Sequence, residues 1–130
     1  MTVVVDASAV VAALVDTGPD GRWAESLLTA RPSAPQLLLV EVSNVLRRAA
    51  RVGSITDDVA ALAHADLLDL RVDLVPYHHV ADRVWSLRHN LTTYDAYYVA
   101  VAELLEVPLV TLDRRLADAP GPTCEIRTPG

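Results

Sequence analysis

The chain has 130 residues, of which 52% are hydrophobic, with one cysteine and a formal net charge of −6. That length suits a single domain, residues 1–130, with a core large enough to need no staples, and a lone Cys124 excludes an internal disulfide framework. Asp6 interrupts the first apolar run, and no run reaches the roughly 20 residues a membrane helix needs, so the chain reads as cytoplasmic, with neither a secretory leader nor a membrane span.

Val3-Val4-Val5 is β-branched and reads as a buried strand ending at Asp6. Residues 7–15 follow as helix, 17–21 as loop, and 22–30 as a second helix stopped by Pro32. The clearest helix spans 36–51, with Pro35 at its start and Gly53 just past its end. Thr56 caps another over 57–70. A strand over 72–75 is closed by Pro76; helices are expected over 79–89 and 94–105. Pro108 to Leu112 is an apolar strand ending at Asp113, followed by a helical turn over 114–117 and an edge strand over 124–128. Between Arg31 and Pro35 no strand is legible. Alternating strands and helices imply a parallel sheet covered on both faces, an α/β fold of three layers.

Two strands thus end in aspartate, Asp6 and Asp113, and in open α/β sheets ligands bind beyond the carboxyl ends of the strands. Glu41 lies on or beside the apolar stripe of its helix, where a charge needs a partner. Asp95 opens a helix whose Ala and Val residues allow close packing on the sheet. Each acid has an ordinary alternative: Asp6 as a helix cap, Asp113 as a turn residue, Glu41 paired with Arg48, Asp95 in a capping box with Thr92. Were the four to converge, two carboxylates about 4 Å apart would cost about 4 kcal/mol at an effective dielectric of 20. A divalent cation removes that cost, and all-oxygen donors suit Mg²⁺ or Mn²⁺. Such a cluster supports phosphodiester hydrolysis by a metal-activated water.

The order of the acids, with Val4-Val5-Asp6-Ala7-Ser8-Ala9, Glu41-Val42-Ser43-Asn44, Leu91-Thr92-Thr93-Tyr94-Asp95-Ala96 and Leu109-Val110-Thr111-Leu112-Asp113-Arg114-Arg115, resembles the PIN-domain nucleases and above all the VapC toxins. The resemblance covers essentially the whole chain and implies a PIN-like α/β/α fold and endoribonuclease activity. It places Asp6, Asp95 and Asp113 at direct metal contacts, and Glu41 as a further ligand, a contact through water, or an orienter of the nucleophile. Ser8 and Thr111 match polar positions beside the metals. It further implies single-stranded or looped RNA as substrate, often tRNA or ribosomal RNA, a homodimer, and inhibition by a cognate VapB-type antitoxin.

An acidic chain is at first sight a poor binder of phosphates. Arg47, Arg48, Arg51, Arg114 and Arg115 are candidates for meeting RNA at the rim, and Tyr94 for stacking on a base; a solvated helix face is the ordinary reading of each. His64, His78, His79 and His89 show no metal-ligand spacing, Trp23, Trp85 and Tyr98 read as packing residues, and Cys124 as a small hydrophobe. Two other classes compete. A phosphatase with an aspartyl-phosphate intermediate would resemble sites carrying a lysine, and this chain has none. A non-catalytic PIN module would be expected to lack one of the acids. An RNA-processing nuclease outside toxin–antitoxin pairs is a further alternative.

Overall fold

Five short strands, all paired in parallel, form the frame of the computed structural model, which describes residues 2–130. They are β1 (Val4–Val5), β2 (Ser33–Pro35), β3 (Asp73–Val75), β4 (Leu109–Val110) and β5 (Ile126–Arg127), in the order β3-β2-β1-β4-β5. The helices are α1 (Ala7–Val15), α2 (Pro19–Leu28), α3 (Leu38–Arg51), α4 (Asp57–Asp69), α5 (Ala81–Ser86), α6 (Thr93–Leu105) and α7 (Arg114–Ala117).

The order of strands sets the layers. From β1 the chain steps outward to β2 and β3, then returns to β4 and steps outward the other way to β5. With right-handed crossovers, α1–α4 cover one face and α5–α7 the other. The packing sorts accordingly: α1 meets α2, α3 and α4, whereas α5 meets α6 and α6 lies along β1, β2 and β4. Val3, Val4 and Val5 are therefore all buried, without the alternation of a half-exposed strand. On α6, every residue from Ala96 to Ala102 is buried, and small Ala side chains let it lie close to the sheet.

Several boundaries differ from the sequence reading. β2 was illegible because Ser-Ala-Pro has little strand propensity. It is held by its neighbours: Ser33 is in register with Val4 and Asp73, and Pro35 pairs only with Val75, where no amide is owed to β1. α2 begins at Pro19 rather than at 22, with Gly18 as its cap, because proline is pre-organised for the first helical position. Gly21 is then needed, since a Cβ there would stand 1.8 Å from the Asp16 carbonyl oxygen. The helix expected over 79–89 is divided: a 3-10 turn at Tyr77–His79 is followed by Val80 outside helical geometry, and α5 ends at Ser86. Gly53, at φ 80°, does follow the end of α3.

β1 and β4 are adjacent, with Val5 beside Val110, and the chain leaves them toward opposite faces of the sheet. That is the switch point, where a crevice opens beyond the strand ends.

Candidate active site at the strand ends

Asp6 leaves β1 at this point and caps α1. Its Oδ1 accepts hydrogen bonds from the Ala9 amide (3.1 Å) and the Ser8 hydroxyl (2.6 Å), and its Oδ2 accepts one from the Thr111 hydroxyl. Ser8 Oγ in turn accepts from the Leu112 amide (3.0 Å), and Thr111 Oγ1 accepts from the Asp113 amide (3.0 Å). Two hydroxyls thereby tie the β1–α1 corner to the β4–α7 corner. Asp6 is only 9% exposed. Burial pushes its pKa above the ordinary carboxylate range; the hydrogen bonds from Ser8, Thr111 and Ala9 oppose the shift, and the charge of Asp95 adds to it.

The other acids approach from three different helices. Glu41 lies in the first turn of α3. Its pKa is raised, chiefly by burial and then by the charges of Asp6 and Asp95, against a lowering contribution from Tyr98. Asp95 lies in the first turn of α6, where its amide donates to the Thr92 cap at 3.2 Å. Its pKa is also raised, first by burial and then by the charge of Asp113, while Thr92 and Arg115 oppose the shift. Asp113 caps α7, with Oδ1 accepting from the Arg115 amide at 3.0 Å and standing 3.4 Å from its guanidinium Nε. The electrostatic influences run from Asp6 and Asp95 to Glu41, from Asp95 to Asp6 and from Asp113 to Asp95. The capping roles of Asp6 and Asp113 coexist with those influences, and no ion pair joins Glu41 to Arg48 among the described residues.

A cavity of about 300 Å³ opens beside Asp95 and Asp113, lined also by Asn90, Thr92 and Arg115 but not by Asp6 or Glu41. Among the described residues, no three Asp, Glu, His or Cys groups form a ready-made cage for a metal ion. Mutual repulsion spreads like charges apart, and Mg²⁺ commonly takes only one or two carboxylates and keeps several waters. The oxygen-only donors and their raised proton affinities therefore fit a hard, hydrated cation better than a fully protein-ligated one.

Of the cationic candidates, Arg115 reaches the cavity. Arg114 instead donates to the Pro129 carbonyl, Arg47 to the Asn44 side chain, and Arg48 borders a separate groove with Val45, Ala49 and Val52. Tyr94 is exposed beside Asp95. Asn90, which reads in the sequence as a helix stop, joins the cavity wall. Tyr98, which reads as packing, is buried, and its hydroxyl has no hydrogen-bond partner. Cys124 is half-buried and its thiol is pushed up to about 11, first by burial, so it is a poor nucleophile.

The profile of the PIN domain matches residues 3–122. The chain is 46% identical to Ribonuclease VapC1 of Mycobacterium tuberculosis over 127 residues, 95% of each chain. Among solved structures, that of PAE2754 from Pyrobaculum aerophilum superposes with a TM-score of 0.67 at 27% identity, covering 91% of this chain and 84% of that one. VapC20 of Mycobacterium tuberculosis, a toxin that cleaves the sarcin-ricin loop, has the same fold, with a TM-score of 0.65 at 17% identity and coverage of 89% and 93%. Sequence and architecture thus agree: the chain belongs to the PIN-domain family and, within it, to the VapC ribonucleases.

Proposed function

We propose that the whole chain works as one Mg²⁺- or Mn²⁺-dependent endoribonuclease unit, with Asp6, Glu41, Asp95 and Asp113 as its acidic centre. What supports the reading is that four acids stand at helix amino ends on the edge where β1 and β4 finish, that Asp95 and Asp113 line one cavity there, and that Asp6, Glu41 and Asp95 have raised proton affinity. Asp6, Asp95 and Asp113 would hold the cation, in part through its bound waters, with Glu41 at its edge. When bound, the cation offsets phosphodiester charge and draws the nucleophile from water.

The protein's own groups do the positioning. Ser8 and Thr111 fix both oxygens of Asp6, so its direction into the cleft is set before substrate arrives. The α7 backbone does the same for Asp113. Glu41, from the opposite layer, orients the nucleophilic water. Arg115 swings between Asp113 and an RNA phosphate, since its side chain is 93% exposed. Tyr94, exposed at the rim, offers a stacking face to an unpaired base. An open cavity with a single nearby guanidinium suits single-stranded or looped RNA, with tRNA and ribosomal RNA as the first substrates to try. A cytoplasmic setting follows from those substrates, and among the described residues no helix is long and apolar enough to cross a membrane. Exposed Val40 and Val45 on α3, Val52 just past its end, and Val59 and Leu62 on α4 give apolar surface for a second copy or a VapB-type antitoxin.

The test is cleavage of total tRNA and ribosomal RNA by the purified protein in Mn²⁺ or Mg²⁺, in chelator, and with Asp95→Asn. Discrete cuts that require metal and vanish in the variant are expected. Cuts that persist in chelator or in Asp95→Asn would reject this centre.

A further inference from the structure

The most exposed aromatic side chains are Trp85, 64% exposed, and Tyr94, 61% exposed. They flank one stretch of chain: α5 ends at Ser86, residues 87–92 form the turn, and α6 begins at Thr93 with Asp95 in its first turn. A single exposed hydrophobe is ordinary, but Trp85 is organised. The guanidinium carbon of Arg88 stands 4.8 Å from the centre of its ring, and Arg88 Nη1 donates to the Trp85 carbonyl at 2.9 Å. The guanidinium is thereby held over the indole. Arg31, Arg83, Arg115 and Arg127 each have a carboxylate partner, whereas among the described residues none pairs with Arg88. Its Nε and Nη2 donors are left for a ligand.

The turn that carries the pair is braced. The amides of Asn90 and Leu91 both donate to the Leu87 carbonyl, at 2.9 and 3.0 Å, and the Arg88 amide donates to the Trp85 carbonyl at 3.1 Å. Gly121, at φ 111°, packs against the turn so closely that a Cβ there would lie 2.8 Å from Asn90 Nδ2 and 3.0 Å from Leu87 Cδ2. The Gly121 carbonyl accepts from Arg83 of α5 at 2.9 Å, which ties the same loop to the helix. Asn90 also lines the cavity beside Asp95 and Asp113. From Trp85 to Asn90 even an extended chain would span no more than about 18 Å, and the turns shorten that distance.

We propose that Trp85 and Arg88 form a positioning site for the RNA strand where it runs on from the cavity. An unpaired base stacks on the indole–guanidinium surface, and the free N–H groups of Arg88 donate to an adjacent phosphate. Bases stack on aromatic rings and on guanidinium planes alike, and the guanidinium fork matches phosphate oxygens. A single strand fits because its bases have free faces. It also brings the negative charge that Arg88 lacks, whereas a purely apolar partner would bury that cation unpaired. This deepens the reading of the chain as an RNA nuclease and rests on it.

The experiment combines cleavage kinetics on the tRNA or ribosomal RNA that wild type cuts with tryptophan emission during titration by single-stranded oligo(A) in chelator. The proteins are wild type, Trp85→Ala, Trp85→Phe and Arg88→Ala. Both side chains are exposed, so melting temperatures should stay close to wild type. Each alanine variant should raise KM about fivefold or more and leave kcat and Mn²⁺ affinity within about twofold. Trp85→Phe keeps a ring and should restore most of the loss. Arg88→Ala should also lower the salt dependence of binding by about one phosphate contact. Oligo(A) should quench the emission of wild type but not of Trp85→Ala, in which only Trp23 emits. Unchanged KM in both alanine variants, or no quenching in wild type, rejects the site, while metal-dependent cleavage upholds the acidic centre. A Trp85→Ala variant that changes sedimentation and not KM gives the surface to a second copy and rejects the site as well. If wild type does not cut RNA, the functional reading fails and the inference with it.

Discussion

Replacing Asp6 separates what its hydrogen bonds do from what its charge does. Asp6→Ala removes the cap acceptor of α1, a loss of about 1 kcal/mol, and deprives the Ser8 and Thr111 hydroxyls of their shared acceptor at about 1 kcal/mol each. Relief of a buried charge offsets part of that, and the two hydroxyls, 3.4 Å apart, can partly satisfy each other. A net loss of about 1–3 kcal/mol is expected, or roughly 3–12 °C in melting temperature for a domain of this size. Asp6→Asn keeps Oδ1 for Ala9 and Ser8. Its amide nitrogen can donate to Thr111 Oγ1, whose own proton then turns toward Ser8. The hydrogen bonds are conserved and only the charge is lost, so in chelator Asp6→Asn should melt at or above wild type. Added Mn²⁺ should stabilise wild type, by about 2.7 kcal/mol at a concentration of 100 Kd, and should do so far less for either variant. RNA cleavage should be lost in both. If Asp6→Asn falls as far as Asp6→Ala in chelator, the fold requires the charge itself, and Asp6 is a structural carboxylate rather than one held at a cost.

Three further outcomes follow from the same geometry. In chelator, the folded forms of Asp6, Glu41 and Asp95 bind protons at higher pH than the unfolded chain, where carboxylates titrate near about 4. Stability should therefore fall as pH rises from about 4 through the raised folded values. Melting temperature against pH should slope less for Asp6→Asn than for wild type, and equal slopes would show that Asp6 does not titrate there. Glu103 has the opposite sign. Burial raises its pKa, but Arg83, at 2.6 and 3.1 Å, and the Thr123 amide, at 2.8 Å, outweigh burial and hold it below its ordinary range. Its contribution is present above the unfolded value, about 4.3, and is lost as pH falls through the lowered folded value. Glu103→Gln should cost about 1–3 kcal/mol at neutral pH and leave cleavage unchanged, since it lies about 12 Å along α6 from Asp95; a loss of cleavage without a loss of stability would contradict this. Arg115→Ala should leave the melting temperature nearly unchanged, because its ion pair is exposed. It should flatten the dependence of RNA affinity on salt by about one phosphate contact, and an unchanged slope would remove Arg115 from the interface.

The parts legible in the sequence are those whose cause is local. Val3-Val4-Val5 and Leu109-Val110 are strands because β-branched and apolar runs bury well, so the aspartates that end them could be placed at one edge. Glu41 could be placed because α3 carries an apolar stripe and Gly53 just past its end, although Pro35 ends β2 rather than opening the helix, which starts at Leu38. β2 is different: Ser33-Ala34-Pro35 is a strand only because β1 and β3 flank it. The split at Val80 likewise carries no breaker in its own residues. For the site, helical spacing shows that the ring of Tyr98 is buried but not that its hydroxyl is left without a partner, because that depends on the other elements packed around it. Arg115 and Arg114 are equally basic in sequence, and only the course of α7 sends one to the cavity and the other to Pro129.

The four acids share one further property: each stands at the amino end of a helix. Asp6 caps α1 and Asp113 caps α7, while Glu41 and Asp95 occupy the first turns of α3 and α6. In a parallel sheet with crossover helices, the carboxyl ends of the strands and the amino ends of the helices lie at the same edge. The partial positive charge of a helix terminus favours an acid by about 0.3–1 kcal/mol. The fold therefore supplies four small positive fields where four negative groups collect, which lets the acids assemble before any cation arrives. Those fields do not cancel the tension, because the carboxyls of Asp6, Glu41 and Asp95 still hold protons more tightly than in water, with burial as the leading cause in each. What remains uncompensated is a demand for positive charge beside these carboxylates. An exposed arginine can answer it only transiently, whereas a hydrated divalent cation can answer it from within.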